Sequence, residues 1–403
     1  MHYQKLNVFL YRIAQVASWI VAHLLFGRKI QRNEIKGKKG PFVVIANHES
    51  ALDFVNLICA NRRPMHFVIS KSIYITLPIT GYLNKMGVIP KQQFQTTVND
   101  MKRMRSVIVN GQPLVIYPAG LMCEDGLSTP IPKATFKFLK WLDADIYVAR
   151  TYGTYFVMPK WAKGFRPGRT YLDIYKLFDR AQLQTMDISQ IRSAAEEALM
   201  FDAYREQDEL QIRYRGNDNL EGLQNVLYQC PHCIQEFGIQ VQNKKTLHCV
   251  HCGFTTRSDP DGMLLPVGEG HVAVRYVSDW SRLIYRLLKE KIRNDPAFAL
   301  SADVQIRMID PKKHKFIPVG EGALHLNWQG VRIEGTVNGQ TVDLQVAAAS
   351  LPSLPFSPGK HLEVQYGEDI YRCVFRDGRL VMKFINCIKI LHELSVRSAQ
   401  AVQ

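Results

Sequence analysis

Five apolar residues in succession, Phe42-Val43-Val44-Ile45-Ala46, follow Gly40-Pro41 and lead into Asn47-His48-Glu49-Ser50-Ala51-Leu52-Asp53. A run this short, opened by glycine and proline, reads as a buried strand rather than a helix. Apolar Leu52, Val55, Leu57 and Ile58 come next at helical spacing, so a helix is expected to start near Ser50. His48 then falls where a strand gives way to a helix, the edge of an open α/β sheet at which ligands bind. An imidazole there can take a proton near neutral pH. Asp53, in the first helical turn, would hold one ring nitrogen as N–H and leave the other free as a base. The plainer reading of the same residues is a helix-capping Ser50 beside a hydrogen-bonded His48.

The pattern continues to about Arg180. Further strands are expected at His66–Ile69, Val88–Ile89, Leu114–Tyr117 and Ile146–Ala149. Helices are expected at Leu52–Ala60, Thr76–Lys85, Thr97–Asn110 and Lys133–Leu142. Gly111-Gln112-Pro113 stops the third of these before the next strand. The alternation predicts an α/β fold with a mostly parallel sheet flanked by helices.

Ahead of the sheet, LNVFLYRIAQVASWIVAHLLF (residues 6–26) approaches membrane-spanning length. Arg12, Gln15 and His23 interrupt it, no small-residue cleavage site follows, and basic residues flank it. The expected role is a helix lying in, or re-entering, the cytoplasmic leaflet, with a core helix of the first domain, and after it a single span, as the alternatives. The formal net charge of +15 calls for an anionic partner: a phospholipid surface, a phosphorylated substrate or nucleic acid. Of eight cysteines, Cys59, Cys123, Cys373 and Cys387 are scattered in apolar surroundings, which is reduced, cytosolic usage.

The other four form Cys230-x-x-Cys233 and Cys249-x-x-Cys252, fifteen residues apart. That spacing predicts a small ribbon held by structural zinc. A redox dithiol is the alternative, and it would not need two pairs. Ser278 then opens an amphipathic helix, either a packing element or a membrane contact. From Asp303 the apolar period turns to two, with Asn338-Gly339 as a tight hairpin, and a last helix runs from about Arg379 to Arg397. The expected C-terminal fold is an antiparallel β-barrel capped by a helix, resembling pleckstrin-homology-like or GRAM-like domains. The expected division is residues 1–30 (membrane-associating helix), 31–182 (α/β domain), 183–227 (helical connector), 228–262 (zinc ribbon), 270–300 (amphipathic helix) and 301–398 (β domain).

Across residues 20–180 the ordered blocks resemble the PlsC-like glycerolipid acyltransferases. Asn47-His48 through Asp53 matches the N-H-x4-D motif. Ser70-Lys71, Pro78-Ile79-Thr80-Gly81 and Gly87-Val88-Ile89-Pro90-Lys91 match the block that ends in a basic residue for the acceptor phosphate. Ile116-Tyr117-Pro118-Ala119-Gly120 matches F-P-E-G, and Ile146–Ala149 with Pro159 loosely matches the fourth block. The resemblance implies acyl transfer from acyl-CoA or acyl carrier protein to a lysophospholipid hydroxyl. His48 would be the base and Asp53 its orienting partner. Asn47, Ser50, Lys71, Lys91, Pro118, Ala119, Gly120 and Glu124 would line the substrate site. Backbone N–H groups at the helix start or around Gly120 would receive the oxyanion.

One departure stands out: Ala119 replaces the motif glutamate, for which Glu124 or Asp125 could substitute. Two readings follow, an active enzyme or a lipid-binding scaffold without catalysis. Both place the protein on the cytoplasmic face of a membrane, peripheral or monotopic. Nucleic acid is not an expected partner, because the ribbon loop offers Lys244, Lys245 and Arg257 but few aromatic rings for stacking.

Overall fold

Residues Val43 and Ile45 point to one face of a sheet while Phe42, Val44 and Ala46 point to the other, and both faces are covered. The computed structural model describes residues 5–94, 97–268 and 270–401. It divides into two compact units, residues 1–160 with 164–217 and residues 161–163 with 218–403.

In the first unit the strands are β1 (Lys29–Asn33), β2 (Phe42–Ala46), β3 (His66–Ser70), β4 (Ile89–Lys91), β5 (Leu114–Ile116), β6 (Asp145–Tyr152) and β7 (Tyr171–Phe178). The helices are α1 (Val8–Leu24), α2 (Asp53–Ile58), α3 (Lys71–Thr76), α4 (Thr80–Lys85), α5 (Val98–Val109), α6 (Ala134–Leu142), α7 (Thr154–Val157), α8 (Arg180–Thr185), α9 (Ile188–Leu199) and α10 (Ala203–Leu210). Strand order is β1-β7-β6-β2-β5-β3-β4. The run from β6 to β4 is parallel throughout, whereas β7 is antiparallel to β6 and carries β1 parallel to itself. The carboxyl ends of β2, β5, β3 and β4 therefore open on one edge of the sheet.

Two local expectations change. The helix expected over Thr76–Lys85 is two short helices, α3 and α4. Pro78 disfavours helical geometry at Leu77, whose ψ is 127°. Of residues 183–227, expected as a helical connector, 218–227 belong to the second unit and 183–217 to the first. There Ile191, Ala195 and Leu199 of α9 join Phe136, Leu139 and Ile146 in one core. β1 and β7 complete the far side of the sheet.

The first helix is amphipathic in the reverse sense. Tyr11, Gln15, Ser18 and Ala22 face inward, while Phe9 (73% exposed), Val16, Trp19 and Leu24 (78%) face outward. Polar contacts attach it. Gln15 Nε2 donates to Ile58 O at 3.0 Å and Asn61 O at 2.9 Å, and Tyr11 Oη accepts from Met65 N at 3.1 Å. Among the described residues, no helix is long and apolar enough to cross a membrane.

In the second unit β8 (Ile239–Gln242), β9 (Thr246–Cys249), β10 (Thr255–Ser258) and β11 (Leu264–Pro266) form an antiparallel sheet. Helix α11 (Val277–Arg293) follows. Then come β12 (Ala299–Asp310), β13 (Lys315–Asn327), β14 (Gly330–Val337), β15 (Gln340–Ala347), β16 (Phe356–Ser357), β17 (His361–Tyr366), β18 (Asp369–Phe375) and α12 (Leu380–Ala401). Asn338 and Gly339, at φ 50° and 80°, make the expected two-residue hairpin between β14 and β15. The expected closed barrel is instead an open antiparallel sheet, ordered β15-β14-β13-β12-β18-β17-β16. Its last strand, β16, has only two residues, too few to bridge back to β15. The capping helix is present as α12.

Gln15→Leu makes the first helix more apolar yet should destabilise the protein. It leaves two inward carbonyls without donors, at about 1–3 kcal/mol each. Chemical denaturation in detergent micelles checks this, and an unchanged midpoint would contradict it.

Candidate active site and cysteine cluster

The sequence from β2 into α2 turns sharply, and two side chains hold that turn. Asn47, buried, donates from Nδ2 to Thr151 O at 2.8 Å and accepts at Oδ1 from Thr151 N at 2.8 Å. This clamps the end of β2 to the end of β6. Ser50 Oγ accepts from Leu52 N at 3.2 Å, a turn contact just before α2, whose first residue is Asp53. Both side chains of the expected substrate set are thus engaged with protein groups.

His48 and Asp53 meet. His48 Nδ1 lies 2.8 Å from Asp53 Oδ2, the histidine side chain 21% exposed and the aspartate 1%. Asp53 Oδ2 also accepts from Ser50 N at 3.0 Å, and Oδ1 accepts from the Thr154 hydroxyl. A carboxylate only accepts, so Nδ1 carries a hydrogen, and in the neutral ring Nε2 then keeps its lone pair. Tyr117 stacks on the imidazole, ring centroids 4.3 Å apart and planes 27° apart. Its phenol oxygen is buried without a partner among the described residues, and burial, then the Asp53 charge, pushes it well above the usual phenol range.

The loop after β5 underlies this pair. Cys123 N donates to His48 O at 3.1 Å. Pro118 is buried, and Ala119 and Gly120 are half-buried. Gly120 has φ +73° and its N–H donates to Tyr117 O at 3.0 Å, so that N–H is not available to an oxyanion as expected. Glu124 is buried, 5% exposed, in the same loop. Lys71, at the start of α3, and Lys91, at the end of β4, stand at neighbouring strand ends, since Ser70 is paired with Lys91. Burial lowers the Lys91 ammonium below the usual lysine range, against the Asp100 charge, which raises it.

Three contributors escaped the sequence reading. Tyr117 was quoted only as part of its block. Glu49 looked like an unremarkable motif position. Thr154 lies 101 residues from Asp53, and no spacing rule connects them.

In the second unit the four cysteines converge, their sulfurs all within 4.8 Å of one another. Cys230 Sγ is 3.7 Å from Cys252 Sγ, and Cys233 Sγ is 3.8 Å from Cys249 Sγ. Four thiolates arranged tetrahedrally at ~2.3 Å from one zinc ion would be roughly 3.8 Å apart, so the donor set and its spacing fit such an ion. The cluster is tied to both long helices of its unit. Trp280 Nε1 of α11 donates to Gln229 O at 2.8 Å, and Lys383 Nζ of α12 lies 2.6 Å from Glu236 Oε2.

Residues 27–155, within the first unit, match the family model described as Acyltransferase. A 1-acyl-sn-glycerol-3-phosphate acyltransferase of Chlamydomonas reinhardtii is 25% identical over 151 residues, 36% of this chain and 45% of that protein. The chain thus spans under half the length of this curated relative. The crystal structure of the 1-acyl-sn-glycerophosphate acyltransferase PlsC from Thermotoga maritima covers 50% of this chain and 79% of its own, at 18% identity and a TM-score of 0.42.

Proposed function

We propose that the protein is a membrane-associated O-acyltransferase that moves an acyl group from acyl-CoA or acyl carrier protein to the hydroxyl of a lysophospholipid. The observation carrying this reading is the His48–Asp53 pair at 2.8 Å, its imidazole 21% exposed and its carboxylate buried, inside the matched segment. Nε2 of His48 takes the hydroxyl proton as the alcohol oxygen attacks the thioester carbonyl. The tetrahedral intermediate then expels the thiolate, and the imidazolium returns the proton to the sulfur. Asp53 keeps the ring in the working tautomer and stabilises the imidazolium. Lys71 and Lys91, on the same sheet edge, are suited to the phosphate of the acceptor. Ala119 puts no charge at the position of the motif glutamate, so the acceptor head group is held by the lysines and by the loop that carries Glu124.

The outward apolar face of α1 supports docking on the surface of a phospholipid leaflet rather than spanning it. Lys5, Lys29, Lys36, Lys38 and Lys39 add attraction to anionic lipid. The cysteine cluster is read as a structural zinc site of Cys230, Cys233, Cys249 and Cys252, a staple for the second unit with no part in the chemistry.

Three outcomes test these readings. His48→Ala should lower transfer of labelled acyl groups into lysophospholipid by about 10²–10⁴-fold with the fold retained, and equal turnover in both proteins would remove His48 as the base. Metal analysis should find one zinc per chain. Cys230→Ser and Cys249→Ser together should lose it and lower the melting temperature of the second unit, whereas a metal-free wild type of full stability would refute the staple. Phe9→Ser with Trp19→Ser should weaken sedimentation with anionic vesicles on the order of tenfold or more. Undiminished binding would place the membrane contact elsewhere.

A further inference from the structure

The environment of Asp53 contains one hydroxyl too few for two ionised carboxylates. Thr154 Oγ1 lies 3.0 Å from Glu49 Oε2 and within hydrogen-bond distance of Asp53 Oδ1. A hydroxyl has a single hydrogen, so it cannot donate to both. Glu49 is fully buried. Its Oε1 accepts from Asn47 Nδ2 at 3.1 Å and its Oε2 from Tyr155 N at 3.0 Å. If Glu49 holds a hydrogen on Oε2, every contact is satisfied at once. Oε2–H donates to Thr154, a lone pair of Oε2 still accepts from Tyr155, and the Thr154 hydrogen goes to Asp53. With Glu49 ionised, two acceptors face one donor in a site closed to water.

We propose that Glu49 and Thr154 are positioning residues, a neutral Glu49 carboxyl aiming the Thr154 hydroxyl at Asp53 so that Asp53 holds His48 in its working tautomer. Independent geometry places both groups. Gly153, at φ +82°, turns the chain out of β6 so that Thr154 opens α7, and a Cβ there would lie 2.2 Å from Tyr214 Oη. The Asn47–Thr151 clamp fixes that turn against the strand that delivers His48.

The charges agree. Burial, then Glu206 and Asp53, push the Glu49 carboxyl well above the usual carboxylate range. The titratable groups around it are Asp53, Glu206, Arg150, Cys123 and Tyr214. Arg150 is the cation among them, and it is ion-paired with Glu206. Burial likewise pushes Glu206 up, to about 7, with Arg150 opposing.

This positioning role takes its catalytic meaning from the acyl-transfer reading, but its test does not depend on turnover. The full chain, labelled with ¹⁵N-histidine and titrated in micelles without substrate, reports the His48 ring, with His48→Gln assigning the signal. Thr154→Val removes the donor from Asp53, making the carboxylate a stronger partner for the charged ring. The midpoint of the ring titration should rise by about one pH unit, and the acid limb of kcat/KM with it. Thr154→Ser, which restores the hydroxyl, should titrate like the wild type. A valine variant indistinguishable from wild type, or a serine variant that behaves like valine, overturns the proposal. Should the valine variant not fold, carboxyl ¹³C signals of the wild type decide. Glu49 neutral at pH 7 upholds the proposal, and Glu49 ionised there overturns it. An inactive protein with the coupling intact would count against acyl transfer alone.

Discussion

Everything at the candidate site depends on one buried carboxylate. Asp53 is almost completely withdrawn from water, and an ionised group there stands only if donors surround it. The protein supplies three: the Ser50 N–H, the Thr154 hydroxyl and the His48 ring N–H. They come from the turn after β2, from the start of α7 and from the end of β2. The carboxylate therefore couples two neighbouring parallel strands, β2 and β6, whose pairing is continuous from Phe42 to Ala46. Sheet register and ring orientation become one problem, and the Asn47–Thr151 clamp addresses both.

The same economy appears at α1. A surface helix ordinarily buries its apolar stripe. Here the helix is held by Tyr11 and Gln15 through hydrogen bonds, leaving aromatic and aliphatic side chains outward. A cost is incurred in water that a lipid surface would relieve. Hydrogen bonding by inward polar groups sets the helix on the domain, and the outward face remains available to a partner of matching polarity.

Much of this was legible beforehand, for physical reasons. Contiguous apolar runs buried on both faces announce themselves, and β2 is found over the residues expected, Phe42–Ala46. The strict period of two recovers the long antiparallel strands of the second unit, and the paired Cys-x-x-Cys segments lead to the sulfur cluster. What stayed hidden has no local signature. β1, Lys29–Asn33, is mostly basic and polar and reads as the flank of the preceding helix, because it lies at the sheet edge where burial demands little. β7 does alternate, with Leu172 and Ile174 buried, and that signal was present to be used. The polar interruptions of α1 looked like defects in an apolar segment, yet Gln15 is the anchor. The C-terminal sheet is open where the two-residue β16 ends it, and the period-two pattern does not show that edge. The inward role of Glu49 depends on Thr154 and Tyr155, which only the folded chain brings near.

The central claim is that Asp53, by accepting from Nδ1, leaves Nε2 of His48 free to take a hydroxyl proton. Asp53→Asn tests it most directly, because an amide can donate to Nδ1 and so reverse the ring. The measurement is single-turnover transfer from an acyl thioester to a lysophospholipid, with acceptor binding followed separately. The account predicts a fall of about 10³-fold or more in the transfer step with acceptor affinity retained. Transfer at the wild-type rate by a folded Asp53→Asn protein would contradict it.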